Sequence, residues 1–371
     1  LGSLDDQEVR VLMMLDAFDI GGTETHVLSL TQALLEQGVS VYVAGDSGPL
    51  ESKFRMLSCK IYNYKIHSQK FEDWIRINKI NVIHAHMESS GIYAMQLCRK
   101  LNIPLIYTIH GIYYNDSVLS KLLLKYSIKP TIISVSIPVQ KWLEKKGLYS
   151  SYIPNGIDTK EFSVKKSDLR EQLDIPEHSK VILYASRLEE KKYEICKLLL
   201  MACEQNVFEA FPDVRLLIAG GGMNAEEINT YINQTNSLKR IQYIGNRNDM
   251  SDLYSTCDYV VGTGRVALEA ISCECPVIAI GTMGTFGLVT PDNFRKAMRY
   301  YFCDHKSYLP LEQNSITKAV IEGLCLKEQD IHWSKKMRRE VIKRMEISIV
   351  TTEIIQIYKK KVWEMEVCEL R

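Results

Sequence analysis

Residues 259–281, Y-V-V-G-T-G-R-V-A-L-E-A-I-S-C-E-C-P-V-I-A-I-G, change their hydrophobic period twice. Tyr259, Val260 and Val261 are β-formers that end at Gly262 and Gly264. A short helical pattern follows over 265–272, and Pro276 with the apolar run 277–280 opens another strand. A turn of this kind leaves backbone N–H groups at a helix N-terminus, which suits an anion. Glu269 lies one to two turns inside that helix. A carboxylate there disfavours phosphate and suits neutral hydroxyls, such as those of a ribose. Phosphate at the turn and a diol at the carboxylate together describe a nucleotide. Strand–glycine–helix units without a ligand are common, so the stretch alone leaves both readings open.

The same grammar appears at the start of the chain. Residues 9–15 (V-R-V-L-M-M-L) form a β-type run that leads to Gly21-Gly22. Residues 23–37 are helical, with Val27, Leu28, Leu30, Ala33, Leu34 and Leu35 on one broad face, and 39–44 form the next strand. This is a βαβ unit without the full G-x-G-x-x-G spacing, so a dinucleotide fingerprint is not supported. Gly21 and Gly22 let a ligand approach the backbone, while Thr23 reads equally as a helix cap. Residues 82–86 (V-I-H-A-H) are a strand whose two-residue period puts His84 and His86 on one face. With Glu88 they form a weak zinc alternative. Strand 105–109 ends at His110-Gly111, where open α/β sheets place ligand contacts, although a turn histidine fits as well.

The loop 153–158 (I-P-N-G-I-D) and the charged interval 159–180 mark a domain boundary. The pattern then restarts: strand 181–185, the loop S-R-L-E-E-K-K at 186–192, a helix over 194–203, strand 214–219, Gly220-Gly221-Gly222 and strand 241–244. Arg187 and Lys192 together can balance a diphosphate and stabilise it as it leaves. The triple glycine reads equally as a tight turn. Glycines around Phe286 read as a mobile loop, and helices are expected over 316–326, 331–345 and 347–365.

A length of 371 residues implies about two domains. With 46 basic against 45 acidic residues, no charge excess points to nucleic acid. No apolar run approaches the roughly 20 residues of a membrane span. The cysteines, at 59, 98, 196, 203, 257, 273, 275, 303, 325 and 368, include no C-x-x-C pair. Reduced thiols in a cytoplasmic protein are the expectation. Residues 117–126 and 139–146 mix leucine or tryptophan with lysine. They read as helices packed on a core, or as a peripheral contact with an anionic membrane.

In this order the motifs resemble a known family. G-G-T-E-T-H-V at 21–27, H-G at 110–111, I-P-N-G-I-D at 153–158, S-R-L-E-E-K-K at 186–192, G-G-G at 220–222 and G-R-V-A-L-E-A at 264–270 span nearly the whole chain. The chain resembles a retaining glycosyltransferase of family 4. The resemblance implies the α/β GT-B fold, two Rossmann-like domains with parallel sheets facing across a cleft. It implies an acceptor domain over 9–158, a donor domain over 170–345, and a helix at 347–365 crossing back to the first domain. A nucleotide sugar, usually UDP-linked, is the implied co-substrate, with no metal or other cofactor. The acceptor would be a glycan, a lipid-linked sugar or a small molecule.

On this resemblance Arg187 and Lys192 hold the donor diphosphate, beside Gly264 and Arg265, and Glu269 holds the ribose. Gly21 and Gly22 approach the diphosphate from the other domain, and His110 contacts the donor sugar. Transfer would be front-face, with the leaving phosphate assisting deprotonation of the acceptor and no protein nucleophile. Two residues depart from the family pattern. A second glutamate is usual eight positions before Glu269, where this chain has Val261, and Tyr193 stands where glycine is frequent. Two other readings remain at this point: a nucleotide-sugar epimerase of similar fold, and a non-catalytic protein that binds sugar nucleotides within a larger assembly.

Overall fold

The computed structural model describes residues 3–112, 129–235, 240–326 and 333–369. The chain divides into two compact units. Unit 1 comprises residues 1–156 and 345–371, and unit 2 comprises residues 157–344.

Unit 1 is built on a seven-stranded sheet. Its strands are β1 (Arg10–Ala17), β2 (Ser40–Asp46), β3 (Lys60–Tyr62), β4 (Val82–Ala85), β5 (Leu105–Ile109), β6 (Thr131–Ser134) and β7 (Ser150–Tyr152). They lie in the order β3-β2-β1-β4-β5-β6-β7, and neighbours pair in parallel. A parallel sheet needs crossover helices, which cover both of its faces, so its strands are apolar on both sides. β1 shows this residue by residue. Val11, Met13 and Leu15 join the cluster of Val27, Leu30 and Leu34 from helix α1 (Gly22–Glu36). Leu12 and Met14 point the other way, to Ala94, Met95 and Cys98 of α2 (Glu88–Leu101) and Val139 and Leu143 of α3 (Ile137–Glu144).

Burial of Val139 and Leu143 answers one expectation. The apolar side of α3 packs on the core, and Trp142 lies half-buried against the same cluster. Lys146 lies over the Trp142 ring at 5.6 Å. The companion segment 117–126 lies outside the described residues.

Unit 2 carries a six-stranded sheet: β8 (Lys180–Ala185), β9 (Val214–Ala219), β10 (Ile241–Gly245), β11 (Tyr259–Gly262), β12 (Val277–Gly281) and β13 (Gly284–Leu288). Its order is β10-β9-β8-β11-β12-β13, with only β13 antiparallel to its neighbour. In each sheet the strand order reverses beside the first strand, between β1 and β4 and between β8 and β11. Both units are therefore Rossmann-like, and such reversals leave a crevice at the carboxyl ends of the strands.

β13 corrects the mobile loop expected around Phe286. Gly284 adopts φ +136°, and a Cβ there would lie 2.1 Å from the Leu309 carbonyl oxygen. Thr285 and Leu309 exchange backbone hydrogen bonds of 2.9 and 3.0 Å. The glycine serves close strand packing, and the Phe286 ring meets Tyr308 with centroids 4.9 Å apart.

The last helix, α7 (Ile347–Glu369), belongs to unit 1. Val350, Ile354, Ile355, Tyr358 and Val362 enter the cluster that holds β1 and α1. Gly156 admits the returning chain, since a Cβ there would stand 2.9 Å from Ile347 Cα. Ile354 is buried and Ile349 is exposed. Ile354→Ala is expected to cost about 2–5 kcal/mol, and Ile349→Ala no more than about 0.5 kcal/mol. Urea unfolding followed by tryptophan fluorescence checks this, because three of the four tryptophans, Trp74, Trp142 and Trp363, belong to unit 1.

Candidate functional site

In unit 2 the candidate residues flank the reversal between β8 and β11. Arg187 lies two residues beyond β8 and is exposed. Lys192 is half-buried in the first turn of helix α4 (Glu190–Ala202), and its carbonyl accepts a 2.7 Å hydrogen bond from Tyr184 Oη. The loop carrying Arg187 is held by the triple glycine. Leu188 N donates to Gly221 O at 2.7 Å and Asn224 N to Leu188 O at 3.1 Å. Gly220 has φ +137°, and its Cβ would fall 1.8 Å from Ser186 O. Gly220 is thus glycine because two loops touch backbone to backbone, and a Cβ on Gly222 would likewise stand 2.9 Å from Leu188 O. Tyr193, the second departure from the family pattern, turns its hydroxyl to Glu227 while Lys197 lies over its ring at 4.3 Å.

On the other side of the reversal, β11 passes into helix α6 (Gly264–Ser272) through one residue, Thr263. Gly264 has φ +55°, and a Cβ there would meet the Tyr301 ring at 2.8 Å. Its N–H reaches the Tyr301 carbonyl at 3.2 Å, and Thr263 Oγ1 donates to Phe302 O at 2.5 Å. Val261 is fully buried inside β11, in register with Tyr184 and Ile278. A carboxylate at that position would enter the core. The direct strand-to-helix connection therefore removes any loop on which the first glutamate of the family pattern could stand.

Glu269 and Arg265 lie one turn apart in α6, and both side chains are 7% exposed. Arg265 Nε lies 2.6 Å from Glu269 Oε1. Tyr254, from helix α5 (Met250–Thr256), donates to Glu269 Oε2 at 3.0 Å. Burial pushes the Glu269 carboxyl above the ordinary carboxylate range, although Arg265 and the Tyr254 hydroxyl pull it down. Each carboxylate oxygen keeps a second lone-pair direction with which it can accept a further hydrogen bond. Sequence reading named Arg265 and Glu269 as ligand contacts, and the structure joins them to each other. It missed Tyr254, which no local spacing marks.

In unit 1 the residues at the carboxyl edge are Gly21, Gly22 and a group of histidines. Gly21 is extended at φ −162° and precedes α1. A Cβ on Gly22 would meet nothing within 4 Å. His26 on α1, His84 in β4, His86 just beyond it and His110 just beyond β5 are all buried. His86 Nδ1 lies 3.3 Å from His110 Nε2. The His26 ring stands edge-on to His110, with centroids 5.5 Å apart. His84 and His86 share a face, with ring centroids 4.0 Å apart.

The weak zinc alternative fails on His84. Its Nδ1 lies 2.5 Å from Tyr358 Oη and its Nε2 2.7 Å from Thr108 Oγ1, so both nitrogens are engaged. Burial, reinforced by the His110 ring, pushes His84 down to about 3. Burial also holds His86 well below the usual imidazole range. His26, Thr108 and Tyr358 were missed in the sequence. His26 stands within the 21–27 motif, but its helical position gave no sign that it meets His110.

Family models match both halves of the chain: Glycosyltransferase Family 4 over residues 20–161 and Glycosyl transferases group 1 over residues 165–298. The chain belongs to this glycosyltransferase family. The glycosyltransferase is 23% identical over 376 residues to the phosphatidyl-myo-inositol mannosyltransferase of Mycobacterium leprae, covering 92% of this chain and 94% of that one. It is 24% identical over 312 residues to one component of the phosphatidylinositol N-acetylglucosaminyltransferase of Arabidopsis thaliana, covering 76% of this chain and 67% of that one. In fold it matches Anabaena HepE in complex with UDP and glucose, with a TM-score of 0.76 at 18% identity. That match covers 95% of this chain and 100% of HepE. Among the described residues no helix is long and apolar enough to cross a membrane.

The buried ion pair can be tested through stability. Glu269→Leu strands the Arg265 charge and should cost about 3–5 kcal/mol, while adding Arg265→Met should recover most of that loss. Urea unfolding followed by circular dichroism distinguishes the two variants, and a double variant no more stable than Glu269→Leu would contradict the pairing.

The histidines give a pH dependence. His84 and His86 are neutral when folded and take up protons near pH 6.5 once unfolded. Below that pH the unfolded chain binds more protons. Stability is therefore full above about pH 6.5 and is lost as pH falls toward the folded His84 value of about 3. Between pH 7.5 and 5.5 the loss should be about 2–3 kcal/mol for the two rings, read by tryptophan fluorescence in urea. A flat profile over that interval would contradict neutral burial.

Proposed function

We propose that this glycosyltransferase takes a sugar from a nucleoside diphosphate sugar, with uridine as the base, and passes it with retention to a hydroxyl acceptor. The observation that carries this reading is the flanking of one strand-order reversal in unit 2 by two kinds of group. The Arg187–Lys192 loop follows β8, and the Gly264 helix N-terminus and Glu269 follow the adjacent β11. Cations and a helix N-terminus suit a diphosphate, and a carboxylate one turn further in suits ribose hydroxyls. HepE, a structural relative, is described in complex with UDP and glucose, which favours uridine.

In the proposed reaction Arg187 and Lys192 stabilise the charge that develops on the departing diphosphate. They act with the positive end of α6, and this charge neutralisation requires no metal. His110 contacts the donor sugar. The bond from the anomeric carbon to the phosphate oxygen breaks as the acceptor oxygen approaches the same face. The acceptor proton passes to the leaving phosphate, so no protein nucleophile takes part. Open space at Gly22 is compatible with close approach of the donor to the backbone. Two relatives are named for transfer involving phosphatidylinositol, which favours a lipid-linked acceptor over a free glycan. With Val261 in the core, discrimination among donor sugars rests on other residues.

Isothermal titration should show UDP binding that weakens about 10- to 100-fold in Arg187→Ala. No affinity for UDP, GDP or ADP would overturn the proposal. Incubation with UDP-N-acetylglucosamine and no acceptor should yield no C2 epimer, whereas an epimerase would turn over alone.

A further inference from the structure

The buried imidazoles of unit 1 are more than a turn motif. Three elements bring their rings together: α1 supplies His26, β4 and its carboxyl end supply His84 and His86, and the end of β5 supplies His110. His84 is the fixed member, held between Tyr358 Oη at 2.5 Å and Thr108 Oγ1 at 2.7 Å. Tyr358 comes from the final helix and is fully buried. His86 lies against His84, with ring centroids 4.0 Å apart and planes tilted by 34°, and reaches His110 through its Nδ1, 3.3 Å from His110 Nε2. His26 closes the group, 6.3 Å from His86 and 5.5 Å from His110 between ring centroids.

A neutral imidazole has one N–H and one lone pair, and a hydrogen bond at one nitrogen decides what the other nitrogen presents. If His86 Nδ1 carries the proton, it donates to His110 Nε2, and His110 bears its own proton on Nδ1. If His86 Nδ1 is bare, His110 Nε2 donates and His110 Nδ1 offers a lone pair. Each arrangement therefore couples the tautomer of His110 to that of His86 and holds its ring angle. Placement errors of about 1 Å at a reacting group can cost about 100-fold in rate.

We propose that His86 is a positioning residue for His110, locking its tautomer and ring angle through the Nδ1–Nε2 contact, with His84, itself held by Tyr358 of the final helix, packed against His86. The catalytic part of this inference rests on the reading that His110 contacts the donor sugar.

The test begins with the native protein. Long-range proton–nitrogen spectra of its histidine rings, with His110 assigned through His110→Gln, should show His110 as a single neutral tautomer. A native ring that populates both tautomers overturns the proposal without any His86 variant. In His86→Leu, the His110 tautomer balance should shift away from the native one. In His86→Asn, whose amide places a polar atom near the lost Nδ1, one tautomer should return. With UDP-glucose as donor and phosphatidylinositol vesicles as acceptor, His86→Leu should lower kcat about 10- to 100-fold, leaving donor KM within about threefold. His86→Asn should recover most of the lost kcat. A folded His86→Leu with an unaltered His110 tautomer, or a loss of kcat that His86→Asn does not restore, overturns the positioning role. Unchanged kcat in His110→Gln would instead remove the assumed donor contact, and the ring spectra would still decide the His86–His110 bond.

Discussion

The constraint on which the rest depends is the double-sided burial of parallel strands. Crossover helices seal both faces of each sheet, so β1 sends Val11, Met13 and Leu15 to one core cluster and Leu12 and Met14 to another. Ligand contacts are then left to the carboxyl ends of the strands, where the order reverses and adjacent crossovers part to opposite faces. Gly22, His86 and His110 lie at that edge in unit 1, and Arg187, Gly264 and Glu269 lie at it in unit 2. Polar side chains and backbone donors converge there because the crossover helices cover the faces of the sheets.

Several polar groups at these edges are buried and hold one another. Glu269 stands between Arg265 and Tyr254. His84 stands between Tyr358 and Thr108, with His86 against it. In a low-dielectric interior each such group needs a partner, and each partner also restricts its orientation. The same contacts that make these groups tolerable to bury make them rigid. Tyr358 adds a further consequence: the chain leaves unit 1 at residue 156, and its last helix returns to supply a hydroxyl to the histidine cluster.

Legibility in the sequence followed the range of the forces. The strand–helix alternation from Arg10 to Asp46 and from Tyr259 to Gly281 was readable because period and glycine turns are local signals. Short edge strands such as Lys60–Tyr62 and Ser150–Tyr152 were not, since three residues carry no period and depend on the neighbour they pair with. Glycine misled where its cause was distant. Gly284 was read as a sign of mobility, yet it is required by the Leu309 carbonyl, and Gly220 by the carbonyl of Ser186. Arg265 and Glu269 were readable as separate ligand contacts, but their pairing and Tyr254 were not, since Tyr254 reaches Glu269 from another helix.

By itself the sequence determined the two Rossmann-like units and the residues at their strand ends, and its motif order indicated the glycosyltransferase family. Hydrophobic period, turn chemistry and motif order are all written along the chain. Only the tertiary structure decided which glycines serve packing, that Val261 lies inside a strand where no sugar-reading carboxylate can stand, and that four histidines meet. Those outcomes depend on atoms far apart in sequence that approach within hydrogen-bond or van der Waals distance, and no local pattern records such distances.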